Sequence, residues 1–204
     1  AKQGIAKYND VFCEEGYFDI HQSEKILSAG IDYGLLPRIH TDEFENIGGA
    51  QLASAMKCVS ADHLMRINNS DITKMVEANV KAVLLPGTTF FLGKQKYAPY
   101  KKLKDSGLEV AIATDYNPGS CNIQSMTFII TLSLIYMGFD INDAIYSSTY
   151  MPSKILNIHD TTGSIEKGKN ADIIVWDLKK PIDIPYNFSN NSIKTVIKSG
   201  KILF

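Results

Sequence analysis

The chain has 204 residues, enough for one domain or one domain with a small appendage. Hydrophobic residues make up 45% and charged residues 21%, and 21 Lys and Arg against 22 Asp and Glu leave a net charge of −1. That balance excludes a polyanion partner, so neither nucleic acid nor an anionic membrane surface is expected. Cys13, Cys58 and Cys121 are odd in number, widely spaced and set in apolar segments, and read as reduced core thiols rather than disulfides or a metal site. With no signal-peptide pattern and no apolar run of membrane-spanning length, a cytoplasmic location is expected.

In chain order, residues 8–14 (YNDVFCE) form a short strand ending in Glu14. Ser23 opens a helix that stops at Gly34. Residues 35–40 (LLPRIH) make a second strand finishing at His40, and a helix rich in small residues follows over 48–57. Residues 58–64 (CVSADHL) give a third strand that ends near His63, and Ser70 caps a helix through Asn79. A fourth strand covers 81–86 (KAVLLP), then a helix spans 97–106. The stretch VAIATDYNPGS, 110–120, reads as a fifth strand that delivers Asp115 to its tip, with a sharp Asn-Pro-Gly-Ser turn beside it.

Glu14, His40, His63, Pro86 and Asp115 mark successive strand tips at intervals of 26, 23, 23 and 29 positions. This is the cadence of repeated βα units, and it predicts an α/β fold with a parallel sheet and right-handed crossovers. Polar residues at the carboxyl ends of such strands converge on one rim. Beyond Ser120, residues 124–138 and 140–148 are helical, and Pro152 sits in the first turn of a short helix. From about residue 160 the texture changes: GSIEKGKNADIIVWDL (163–178) reads as a hairpin-like segment and IKTVIKSGKILF (193–204) as a second β run. The two domains are therefore drawn as 1–160 and 161–204.

His40, His63 and Asp115 are the acid, base or metal-ligand candidates, with Glu43 and Glu14 in support. Imidazole and carboxylate suit a catalytic zinc or iron that keeps an open position for water. Each has a duller reading alone. His40 can be a hydrogen-bonded structural histidine, His63 a helix-entry residue, Asp115 a helix cap, and Glu43 or Glu14 a partner of a helix dipole. The joint placement at neighbouring strand tips favours chemistry. His21 and His159 lie in loop-like context and are left out.

HTDEFENIGGAQLA (40–53), SADHL (60–64), VLLPGTTFFL (83–92) and ATDYNPGS (113–120) together resemble the imidazolonepropionases of the amidohydrolase superfamily, and 163–178 resembles an ending shared across that superfamily. Thr41 departs from the pattern, where a small residue such as Ala is expected. The resemblance implies part of a metal-dependent (β/α)8 barrel, about strands 4 to 8, with 161–204 a segment of a composite β-sandwich. It implies ring opening of 4-imidazolone-5-propanoate to N-formimidoyl-L-glutamate by water. On it, His40 and Asp115 hold one zinc or iron ion, Asp115 also takes a proton from the attacking water, and His63 polarises the scissile carbonyl. Glu43 holds the substrate ring and shuttles a proton, while Asn117, Gly119 and Ser120 line the pocket.

The sequence contains no His-x-His, the motif from which amidohydrolases draw two further ligands, and a full barrel needs about 250 residues. The chain is therefore expected to be a C-terminal half, inactive alone and binding metal weakly or not at all. Its open sheet edges are expected to pack on the missing N-terminal half or on another copy in a homo-oligomer. The alternatives are another amidohydrolase acting on a cyclic amide or nucleobase, and a non-catalytic scaffold half.

Overall fold

The computed structural model describes residues 3–203. Five strands, β1 (Tyr8–Cys13), β2 (Leu36–Thr41), β3 (Ser60–His63), β4 (Lys81–Leu84) and β5 (Val110–Ile112), form one all-parallel sheet in sequential order. The read cadence is thus realised as βα units. Helices between the strands cover much of the sheet. Every residue of β3 and β5 is buried; β5 is accordingly a continuous apolar run, whereas β3 buries the polar Ser60, Asp62 and His63 beside Ala61. One core of Leu27, Ile39, Ala61, Ile72, Met75, Leu84, Leu103, Ile112 and Ile129 joins sheet and helices.

The helices are α1 (Ile20–Asp32), α2 (Gly49–Ala55), α3 (Asn69–Glu77), α4 (Pro86–Phe91), α5 (Tyr100–Asp105), α6 (Met126–Leu132), α7 (Ile141–Ser148) and α8 (Tyr150–Ile155). A turn of π-helix, Ser133–Met137, extends α6 and ends at Gly138 in the left-handed region. Two starts differ from the sequence reading. Asp19, not Ser23, begins α1: its carboxylate accepts from the Gln22 N–H while the Gln22 side chain accepts from the Asp19 N–H, a reciprocal capping box. Asn68 likewise displaces Ser70 as the cap of α3. Helix α4 was not anticipated at all. The strand before it stops at Leu84, and Pro86 then supplies the fixed φ of a first helical turn.

Two close approaches need glycine. A Cβ on Gly87 would lie 3.1 Å from the Thr114 carbonyl oxygen, so glycine lets α4 close on the end of β5. A Cβ on Gly49 would lie 1.8 Å from Thr41 Oγ1. Thr41 is fully buried and donates to Asp42 Oδ1 at 3.2 Å, so the larger residue at this position is housed by the glycine opposite and stays out of the chemistry.

The C-terminal region departs from the hairpin reading of 163–178. That stretch holds a single strand, β6 (Ile173–Trp176), which pairs antiparallel with β7 (Ile193–Lys198) across a connection containing a short helix, α9 (Asp183–Tyr186). The tight hairpin is instead β7 with β8 (Lys201–Ile202), turning at Ser199 and Gly200, both at positive φ. Among the described residues, no helix is long and apolar enough to cross a membrane. Cys13, Cys58 and Cys121 are buried and free.

Candidate active site

Alternation along the strands decides which side chains can meet. On β2, Arg38 and His40 share a face, as do Ser60 and Asp62 on β3 and Asp10 and Phe12 on β1. The register pairs Phe12 with His40 and His40 with Asp62, so these residues form one polar layer across three strands. Arg38 donates to Asp62 Oδ2 at 2.8 Å and to Ser60 Oγ at 3.0 Å, and the Ser60 hydroxyl donates to Asp62 Oδ1 at 2.8 Å. His40 Nδ1 lies 3.0 Å from Asp10 Oδ1.

Strict alternation would send His63 to the opposite face from Asp62. It does not go there, because His63 and Leu64 adopt φ of 76° and 59°, left-handed conformations that cost a non-glycine residue about 1–2 kcal/mol. The Leu64 and Arg66 N–H groups donate to the Thr41 and Asp42 carbonyls at 3.2 and 2.9 Å, holding the chain in that shape. The strand tip therefore turns the His63 ring back over His40, with centroids 5.4 Å apart. Asp115, at φ 53°, stands three residues beyond the end of β5 rather than on it. Its Oδ2 accepts from the Thr88 hydroxyl at the start of α4.

The outcome is one cluster. Single donor atoms of His40, His63 and Asp115 all lie within 4.8 Å of one another, and His63 Nε2 is 4.0 Å from Asp115 Oδ2 and 3.4 Å from Glu43 Oε2. Two imidazole nitrogens and a carboxylate oxygen are the donor set of a zinc or iron site with open positions. The buried atoms Glu43 Oε1 and His63 Nδ1 have no hydrogen-bond partner, which is costly and marks a place where a ligand atom is wanted. The donor set and these orphans fit a metal-assisted hydrolytic site.

Burial, aided by His40, holds the His63 imidazole down at about 3, so it is neutral and its approach to Glu43 is not an ion pair. Burial, and then the Asp115 and Glu14 charges, push the Glu43 carboxyl up to about 7. For His40 burial acts downward, but the Asp10 hydrogen bond and the Asp62, Asp10 and Asp115 charges outweigh it and raise the ring to about 9.

Glu14 has a different part from the one read for it. Its buried carboxylate accepts the N–H groups of Glu43 at 2.8 Å, Phe44 at 3.1 Å, Glu45 at 3.0 Å and Glu15 at 3.1 Å. It pins the loop after β2 and thereby Glu43. The Asn117–Ser120 turn is also self-contained: Asn117 Oδ1 accepts the Gly119 and Ser120 N–H groups at 2.9 and 2.7 Å, and Asn117 Nδ2 donates to the Asp115 carbonyl at 2.8 Å. Asp10, Arg38, Asp62 and Thr88 were not among the sequence candidates. The R-x-H and S-x-D spacings were the available signal for two of them, Arg38 and Asp62, since alternate residues of a strand share a face.

The sequence model of the Amidohydrolase family matches residues 36–203. The chain is 41% identical over 202 residues to an imidazolonepropionase of Alkaliphilus oremlandii, covering 99% of this chain and 48% of that protein. It is 43% identical over 200 residues to an imidazolonepropionase of a Geobacillus species, covering 98% and 47%. The chain thus spans about half the length of the curated relatives it matches. A zinc-bound adenosine deaminase from Xanthomonas campestris has the same fold, with a TM-score of 0.80 at 19% identity over 96% of this chain and 51% of the other.

Proposed function

The chain belongs to the amidohydrolase family, and from that premise we propose that it carries about half of an imidazolonepropionase, which opens the ring of 4-imidazolone-5-propanoate to N-formimidoyl-L-glutamate. The observation that carries this reading is the convergence of His40, His63 and Asp115 in one cluster with Glu43 against His63. The relatives' names supply the substrate.

Residues 1–160 are proposed as barrel strands of about positions 4 to 8, and 161–204 as part of a β-sandwich completed by sequence outside this chain. His40 and Asp115 would hold one zinc or iron ion, with His63 at the third corner. Such an ion supplies Lewis acidity and lowers the pKa of water towards about 7. Asp115 accepts a proton from the attacking water, and the Thr88 hydroxyl fixes the oxygen that does so. Neutral His63 donates to the carbonyl oxygen of the substrate as negative charge gathers there. Glu43, raised to about 7, holds the ring and can pass a proton to the leaving nitrogen. Asn117, Gly119 and Ser120 line the pocket, where a substrate carboxylate would compete with Asn117 Oδ1 for the same N–H groups.

Alone, this chain offers two ligands, His40 and Asp115, so metal is held weakly or not at all. The sheet has outer strands β1 and β5, and the apolar Tyr17, Phe18 and Leu36 are exposed near the β1 end, so packing on the remaining half or on another copy is part of the proposal. The test is ring opening by a protein containing this chain together with its complementary half, followed at the ring chromophore. His40→Ala and Asp115→Asn are each expected to lower kcat by at least about 1000-fold. Unchanged turnover in either variant, or no turnover of this substrate with metal supplied, would sink the reading.

A further inference from the structure

We propose that Asp10 is the positioning residue of His40: its carboxylate keeps the proton of the neutral imidazole on Nδ1 and leaves the Nε2 lone pair free for a metal ion. The use of that arrangement rests on the metal-site reading above; the arrangement itself rests on geometry alone.

The ring of His40 lies between two carboxylates, and they are not equivalent. Asp10 Oδ1 is 3.0 Å from Nδ1, a hydrogen-bond distance, whereas Asp62 Oδ2 is 3.7 Å from Nε2, beyond one. Asp62 is also spent, because Arg38 takes Oδ2 and the Ser60 hydroxyl takes Oδ1. A carboxylate can only accept, so the hydrogen on the Asp10 contact belongs to the imidazole. An unconstrained histidine side chain favours the opposite form, with its proton on Nε2, and in that form Nε2 has no lone pair to offer. Strand pairing supplies the constraint: Phe12 lies beside His40 in the register, and Asp10, two residues earlier, shares its face.

Asp10, His40 and Asp62 also bring single donor atoms within 4.8 Å of one another, a geometry that by itself would suit a second cation. The Arg38 guanidinium, 2.8 Å from Asp62, decides against that. It already places a permanent positive charge where the cation would sit. The cluster therefore serves to orient, and loss of such an orienting partner costs about 10–100-fold in metal affinity.

The experiment compares the wild-type chain with Asp10→Asn, Asp10→Glu and Asp62→Asn. Asp10 is about one third exposed, so the isosteric asparagine leaves the packing in place. Nitrogen-15 spectra of labelled histidine are recorded across a pH series carried upward until the His40 shifts stop changing and the ring is neutral, with its signals assigned through His40→Gln. Zinc affinity is read by competition with a chromogenic chelator. The expected result is Nδ1–H in the wild type, Nε2–H in Asp10→Asn with zinc affinity about 10–100-fold lower, and partial recovery in Asp10→Glu. Asp62→Asn, the structural control, is expected to lower the unfolding temperature without moving the His40 proton. Nε2–H in the wild type, an Asp10→Asn protein with unchanged proton position and zinc affinity, or a second zinc ion lost in Asp10→Asn would each overturn the proposal. A wild-type chain that takes up no zinc even together with its complementary half would overturn the metal-site reading only, since the nitrogen shifts still decide the role of Asp10.

Discussion

The two sheets of this chain solve the problem of apolar surface in opposite ways. In the five-stranded parallel sheet, β3 and β5 are buried residue by residue. In the three-stranded antiparallel sheet no residue of β6, β7 or β8 is buried, Ile174 is 47% exposed and Ile202 is 71% exposed. Every donor of the candidate site belongs to the first sheet or the loops at its rim. Rigid packing thus sits under the chemistry, while the second sheet leaves apolar side chains exposed.

The largest expected effect breaks the first region. Leu84 is fully buried at the end of β4, and Leu84→Ala is expected to cost about 2–5 kcal/mol, read as a lower urea midpoint at constant m. A loss below 1 kcal/mol would mean this core is not close-packed. Next comes the buried carboxylate that ties β1 to the Glu43 loop. In Glu14→Gln an amide NH2 meets backbone N–H groups, so roughly 1–3 kcal/mol is lost and hydrogen exchange at Glu43, Phe44 and Glu45 quickens before that of the core strands. Exchange rising equally everywhere would contradict a local clamp.

The contrast sharpens with Ile174→Ala in the exposed sheet, expected to change stability by no more than about 1 kcal/mol in this chain. A loss as large as that of Leu84→Ala would erase the distinction between the regions. The smallest effect tests a surface contact on the buried region, where Lys81, 2.9 Å away, and Lys154 both pair with Glu109. Burial acts upward on the Glu109 carboxyl, but the two lysines outweigh it and hold it below its usual range. Its contribution is therefore present above the ordinary carboxyl value and disappears as pH falls through the lowered one. Glu109→Gln is expected to lose less than about 1 kcal/mol at pH 7 and progressively less as the solution is acidified, by thermal unfolding across pH. A difference that grows on acidification would reverse the sign.

Much of the larger sheet is legible in the chain because strand and helix alternate at nearly constant intervals, each strand ending in a residue of distinct chemistry. His40, His63 and Asp115 stand out for that reason, and the structure brings their donor atoms together. What was misread depends on contacts between distant residues. Glu14 gave no hint that four backbone N–H groups, three of them on another loop, would spend its carboxylate. Helix α4 was hidden in an apolar run that reads equally well as strand, and the pairing of β6 with β7 skipped over the local hairpin signal.

Periodicity and residue chemistry, both local properties, were enough to set the number and order of the parallel strands and the imidazoles and acid at their tips. Three-dimensional packing alone decided where those groups point. His63 reaches the pocket only because a left-handed strand end, held by carbonyls of the neighbouring strand, overrides the alternation its sequence position dictates. Which carboxylate holds His40, and which is already held by Arg38, follows from strand register, a relation between segments more than 20 residues apart that no local pattern encodes.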